Sequence, residues 1–104
     1  MFFGIRQLQR AADLLAAASA PGDPVVPEAI LSFLSACACR RDWPEPFQTR
    51  ALEIGRMMTA GGPPQATADR LDAEGLATLQ EQVARFVTDA EAAVIPALPR
   101  RVPS

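Results

Sequence analysis

Proline and glycine divide this chain into segments, and this punctuation limits its fold more than any other sequence feature. Clusters of the two residues stand at 20–24, 42–46 and 61–64, and Pro96 follows the last long segment. Each cluster predicts a break between elements, because proline lacks a backbone donor and glycine favours turns. Between the breaks, apolar residues recur every three or four positions, which is the helical period. We therefore expect an all-α fold without strands.

The segments between the breaks predict about four helices. They cover 2–19, Pro27 to Arg40 or Arg41, 46–60 and about 72–95, with a short helical turn at 65–71. Short connections favour antiparallel neighbours, so we expect a compact, mostly antiparallel bundle with proline-rich loops. We expect a single helical domain over 1–95 and a flexible C-terminal tail with proline and arginine over 96–104.

Local signals predict the role of several single residues. We expect Pro27 at the first helical position, Gly61 as a left-handed helix stop and Asp72 as the cap of the last helix. In the second helix, the periodicity predicts one inward face of Ile30, Leu31, Leu34 and Ala38, which Phe33 and Cys37 extend. It predicts Ser32, Ser35 and Arg40 on the outward side.

The composition removes most catalytic chemistry. The chain has no His, Lys, Tyr or Asn, and all 10 basic residues are Arg. Neither a Ser–His or Cys–His nucleophile pair nor an imidazole zinc site can be built within it. We therefore expect a protein that is not an enzyme, without catalytic residues, cofactor or metal.

The two cysteines are the main exception to this inert composition. Cys37 and Cys39 lie two residues apart, so on a helix they point in nearly opposite directions and cannot share one metal. The neighbouring Arg40 and Arg41 would lower a thiol pKa, which leaves a reactive thiol as an alternative to small structural side chains.

The corner between the second and third helices is a candidate partner contact. It combines two cations and two aromatic rings: Arg40, Arg41, Trp43 and Phe47. Tryptophan and arginine are enriched at interface hot spots. In the alternative interpretation, Trp43 closes the end of the bundle and the arginines donate hydrogen bonds to helix carbonyls. We favour this alternative, because a single tryptophan in a small domain usually belongs to the core.

The last helix is a candidate acidic face. Its candidate residues are Glu74, Glu81, Asp89 and Glu91. Such a face would bind a basic partner. The alternative, which is more common for a run of acidic residues, is a helix face exposed to solvent. Glu81 and Arg85 are also spaced to form a pair one turn apart.

Nucleic-acid binding and membrane insertion are not expected. The stretch 51–71 is superficially similar to a helix-turn-helix, but the isoelectric point is near 5.0. Duplex binding depends on neutralising phosphates, for which this segment offers little positive charge. No apolar run is long enough to span a bilayer, and we expect a cytoplasmic protein.

These features predict a small, non-catalytic helical module that binds a protein, as an adapter, an inhibitor or an accessory subunit of a larger complex. Spare apolar helix faces predict a homodimer. The alternatives are a DNA-linked regulator that uses 51–71 and a small thiol- or carboxylate-based enzyme. No motif is specific enough to indicate a family.

Overall fold

The computed structural model describes residues 4–94, and every regular element in that range is helical. The order is α1 (Ile5–Ala17), α2 (Val25–Cys37), a 3-10 turn (Arg40–Asp42), α3 (Glu45–Met58), α4 (Pro64–Arg70) and α5 (Ala73–Val94). The predicted all-α fold is confirmed, and the helical turn expected at 65–71 is α4. The antiparallel order stays a prediction, and the tail expected at 96–104 lies outside the described residues.

The start of α2 differs from the prediction. The helix begins at Val25, two residues before Pro27. Pro24 already has helical backbone angles, and the Asp23 carboxylate accepts a hydrogen bond from the Val25 amide at 3.1 Å. Pro27 therefore lies inside the first turn, where a missing backbone donor is still tolerated.

The break between α3 and α4 uses two glycines for different reasons. The left-handed residue is Gly62, with φ +101°, so the prediction of Gly61 in that role was wrong. Gly61 instead allows the backbone of α4 to lie close to the loop, because a Cβ at Gly61 would be 2.8 Å from the Ala66 carbonyl oxygen. Its amide donates a hydrogen bond to Thr67 Oγ1 at 3.1 Å, which ties the loop to α4.

Helix α5 begins at the predicted cap. Asp72 Oδ1 accepts a hydrogen bond from the Gly75 amide at 2.7 Å, and Glu81 pairs with Arg85 at 3.2 Å. About two helical turns after the cap, Gln80 Nε2 donates to the carbonyl of Leu15 at 2.7 Å. The last helix thus completes the hydrogen bonding at the end of the first.

The core lies between α1, α2, α3 and α5, and the most extensive helix contact is that of α1 with α2. At its centre the fully buried ring of Phe86 meets Phe33 at 5.6 Å, Phe47 at 5.7 Å and Trp43 at 5.8 Å between ring centroids. The other large, fully buried side chains are Leu8, Leu15, Val26, Ile30, Met58, Leu79 and Val83. One aromatic residue of α5 therefore joins three other segments of the chain.

Candidate interaction surface

The corner predicted to contact a partner is largely built into the core. Trp43 is only 3% exposed, and Phe47 is half-buried against Phe86. Arg40 donates to the Cys37 carbonyl at 3.1 Å, at the end of α2, while Arg41 is exposed. This arrangement fits the alternative interpretation, in which the tryptophan closes the bundle end.

The four carboxylates predicted to form one acidic face lie on different sides of α5. Asp89 pairs with Arg50 of α3 at 2.7 Å, whereas Glu91 accepts a hydrogen bond from Gln9 of α1 at 2.8 Å. Residues two apart on a helix point about 200° apart, which explains the split. Glu74 and Glu81 are exposed, with Glu81 in its pair with Arg85.

Sequence reasoning missed the role of Arg50. Its guanidinium lies 5.8 Å from the ring centroid of Phe47 and 5.4 Å from that of Phe86. The ion pair with Asp89 holds it over these rings. Arg50 therefore closes the aromatic cluster on the side of α5, and this part of the surface stabilises the fold.

The two free cysteines, Cys37 and Cys39, are both partly buried. Burial raises the pKa of the Cys37 thiol to about 11, and Arg40 offsets this only in part. A raised thiol pKa disfavours the thiolate that nucleophilic chemistry needs. Within residues 4–94, no group of three His, Cys, Asp or Glu side chains could hold a metal ion.

The segment predicted as a DNA-binding alternative has a different packing from a helix-turn-helix pair. Helix α4 packs against α2, and it has only 7 residues. On its exposed side, Gln65 Nε2 donates to Asp69 Oδ1 at 3.0 Å, and Arg70 is the one cation of the helix. The geometry therefore adds no positive surface for phosphates.

A groove of about 400 Å³ separates the outer sides of α1 and α5. Its walls are Gln9, Ala12, Asp13, Ala16, Ala84, Val87, Thr88 and Glu91. The hydrogen bond from Gln9 to Glu91 crosses between the two helices. Its charged lining residues, Asp13 and Glu91, are both acidic, so the groove would repel another acidic surface.

A second surface, on α2 and α3, leaves large apolar side chains in water. Leu31 is 55% exposed and Leu52 is 46% exposed, the two exposed large hydrophobic residues of the described chain. Leu34 lies beside Leu31 on α2 and reaches Gly55 of α3. Leu52 lies one turn before Gly55, and nearly opposite Arg50, which faces α5. Leu31 and Leu52 therefore flank one seam between the helices.

We call this surface the leucine face. Its residues are Pro27, Leu31, Leu34, Ala38, Leu52 and Gly55. On α2, Leu31 and Ala38 lie on the side opposite the core, whereas Leu34 is half-buried and packs against the core. The exposed Glu28 and Ser35 lie beside Leu31, one turn away on either side. The exposed side of α2 is therefore mixed, with Leu31 as its large apolar residue.

The prediction for α2 was therefore wrong at three positions, of which one is Ala38, expected on the inward face and exposed in the structure. Leu31 was expected in the core and is exposed, whereas Ser32 was expected outside and is 8% exposed. The spacing of Pro27, Leu31, Leu34 and Ala38 could have revealed a second stripe. Because α2 has apolar residues on both sides, the spacing of the apolar residues alone does not identify the side that faces the core.

Gly55 is the unusual residue of this face. It lies in the interior of α3, where glycine is less favourable than alanine by roughly 0.5–1 kcal/mol. A Cβ at this position would meet only Leu34 Cδ2, at 3.9 Å, which is an ordinary van der Waals distance. The packing of the described chain therefore has room for alanine and gives no reason for glycine.

No protein-family model matches this chain, and no curated protein or solved structure shows significant similarity to it. In the described range, no helix combines the length and apolar composition needed to cross a bilayer.

Proposed function

We propose that this chain is a small non-catalytic interaction module, acting as an adapter, an inhibitor or an accessory subunit, and that it binds protein through the leucine face. The observation that carries the proposal is the exposure of Leu31 and Leu52 beside one helix seam. Contiguous exposed apolar side chains mark protein contacts on soluble domains. The proposed surface is different from the corner around Trp43, whose buried ring is part of the core.

The exposure of the two leucines sets how much free energy their burial in a contact would contribute. About half of each side chain is exposed, at 55% for Leu31 and 46% for Leu52. Burying those halves would contribute about 2 kcal/mol in total, because full burial of one leucine is worth roughly 1.5–3 kcal/mol. Leu34, Ala38 and the flat surface at Gly55 would add further contact area.

A pair of arginine variants tests the proposal. The immobilised chain is exposed to an extract of its source organism, and the retained proteins are compared for wild type, Leu31→Arg and Thr78→Arg. Thr78 is exposed on α5, away from the leucine face, so it controls for the added charge. We expect wild type and Thr78→Arg to retain the same specific protein and Leu31→Arg to lose it. An identical set of retained proteins for all three would contradict the proposal.

The two alternatives make separate predictions. A DNA-linked regulator would give a mobility shift that weakens steeply with salt. A thiol enzyme would require a thiolate, which the raised pKa of Cys37 disfavours. Cytoplasmic location stays a prediction, and it can be checked by fractionating the source cells.

A further inference from the structure

We infer that the C-terminal segment of this chain, residues 95–104, binds in the groove between α1 and α5 through Arg100 and Arg101. The inference does not depend on the proposed function, because the leucine face lies on α2 and α3 and the groove lies on the two other long helices. It differs from the sequence-based expectation of a flexible tail, since it gives the segment a binding site on its own domain.

The groove holds two negative charges that keep their demand for a cation. Asp13 is exposed and makes no ion pair among the described residues. Glu91 accepts its hydrogen bond from Gln9, which is neutral and so leaves the charge in place. In the described range, the α1 cations Arg6 and Arg10 make no ion pair with either acid. A cation that entered the groove would therefore meet two carboxylates.

The segment after α5 carries the opposite charge. Its charged side chains are Arg100 and Arg101, and it contains no Asp or Glu. Two guanidinium groups match two carboxylates, and each can bind a carboxylate through two parallel hydrogen bonds. The rest of the segment is mostly aliphatic residues and proline, and the groove offers them small apolar side chains: Ala12, Ala16, Ala84 and Val87.

The end of α5 lies beside the groove. Glu91, whose carboxylate is bonded to Gln9 of α1, is three residues before Val94, where α5 ends. Asp13 is four residues after Gln9, so it lies about 6 Å further along α1. Arg100 follows Val94 by six residues, which span up to about 20 Å when extended. The segment is therefore long enough to turn back from the end of α5 and place an arginine at either acid.

The size of the groove and the tether favour this segment over a separate basic protein. A volume of about 400 Å³ is in the range of pockets for small ligands, so a few side chains fill it. Exposed ion pairs are individually weak, which limits what a free partner gains there. A segment tethered by a short linker acts at an effective concentration of the order of millimolar, so weak contacts are enough to hold it.

Backbone amide relaxation, measured by nuclear magnetic resonance on the full chain, tests the inference. At about 10 mM salt, we expect order parameters above about 0.6 at Leu98, Arg100 and Arg101. Arg100→Gln combined with Arg101→Gln should lower them below about 0.6 and shift the amide signals of Ala12 and Ala84 in the groove. Salt at about 1 M should have the same effect on wild type, because the Debye length falls from about 30 Å to about 3 Å.

Neutral variants of the two acids test whether the groove is the binding site. Asp13→Asn combined with Glu91→Gln keeps the side-chain sizes and should lower the same order parameters below about 0.6. Asp42→Asn combined with Glu53→Gln is the matched control, because both acids are exposed and lie outside the groove. It should leave the order parameters unchanged. Unchanged far-ultraviolet circular dichroism shows that each variant keeps its helices.

Three results would overturn the inference. The first is a wild-type segment with order parameters below about 0.6 at low salt, and the second is an ordered segment that the groove variants leave unchanged. The third is order that is lost on dilution, which would place the segment in the groove of a second copy. If the wild-type segment is unordered and free tetra-arginine still shifts the groove amides, the groove binds a separate basic partner instead. None of these results bears on the leucine face, whose test uses a different variant.

Discussion

Replacing Phe86 by leucine tests what holds the centre of the core together. Phe86 and Phe33 are both 0% exposed, so they are matched in burial. They differ in their ring contacts: Phe86 meets Phe33, Trp43 and Phe47, whereas Phe33 meets Phe86. The same substitution at the two positions therefore removes a similar apolar volume and a different number of aromatic pairs.

The expected difference follows from these pairs. Each aromatic pair contributes about 0.5–1.5 kcal/mol beyond the area that it buries, so Phe86→Leu loses about 1.5–4.5 kcal/mol and Phe33→Leu about 0.5–1.5 kcal/mol. The lost contact of Phe86 with the Arg50 guanidinium, at 5.4 Å from the ring centroid, increases the difference further. We expect Phe86→Leu to be less stable than Phe33→Leu by about 2 kcal/mol.

Urea unfolding followed by far-ultraviolet circular dichroism measures this difference. The free energies of unfolding are extrapolated linearly to water, and equal slopes confirm that both variants unfold from comparable states. Equal losses of stability for the two variants would refute the reasoning, since they would mean that apolar volume alone matters at this site.

Two further predictions concern a thiol and a helix end. The pKa of Cys37 is raised from 9.0 to about 11 by burial, so the unfolded chain releases the thiol proton first. This group should therefore leave the free energy of unfolding unchanged below pH 9 and lower it as the pH rises toward 11. Cys37→Ala should reduce that loss of stability, as measured by urea unfolding at each pH. Gln80 donates to the carbonyls of Leu15 at 2.7 Å and Ala18 at 3.2 Å. Gln80→Ala should lower the free energy of unfolding by about 1–2 kcal/mol in the same assay, whereas the exposed Gln82→Ala should change it by less than about 0.5 kcal/mol.

The sequence was sufficient for the helices because their signals are local. Asp72 caps α5 as predicted. A carboxylate before a helix can do so because it accepts hydrogen bonds from backbone amides only two or three residues later. The start of α2 was misplaced for a similar local reason, because Pro24 already has helical backbone angles and the helix begins at Val25, before Pro27. Gly61 and Gly62 are adjacent, and only the close approach of α4 decides which one takes the positive φ.

The functional surface was harder to predict because it depends on which side of each helix meets a neighbour. Helix α2 has apolar residues on two sides, so the period predicts helix and leaves the inner side open. The arrangement of α1 and α4 around it turns Ser32 inward and Leu31 outward. Likewise, the acids Asp89 and Glu91 are close in sequence, and the helix directs them to α3 and α1 respectively.

The bonds from Gln80 to Leu15 and Ala18 also bear on how the protein is made. The polypeptide emerges from the ribosome with its amino end first, yet the end of α1 finds its partner 65 residues later in the chain. Phe86, which joins the aromatic cluster, emerges later still. We expect the nascent domain to stay incompletely folded until α5 has been translated, so fragments that stop before α5 would be substrates for proteases rather than smaller folded units.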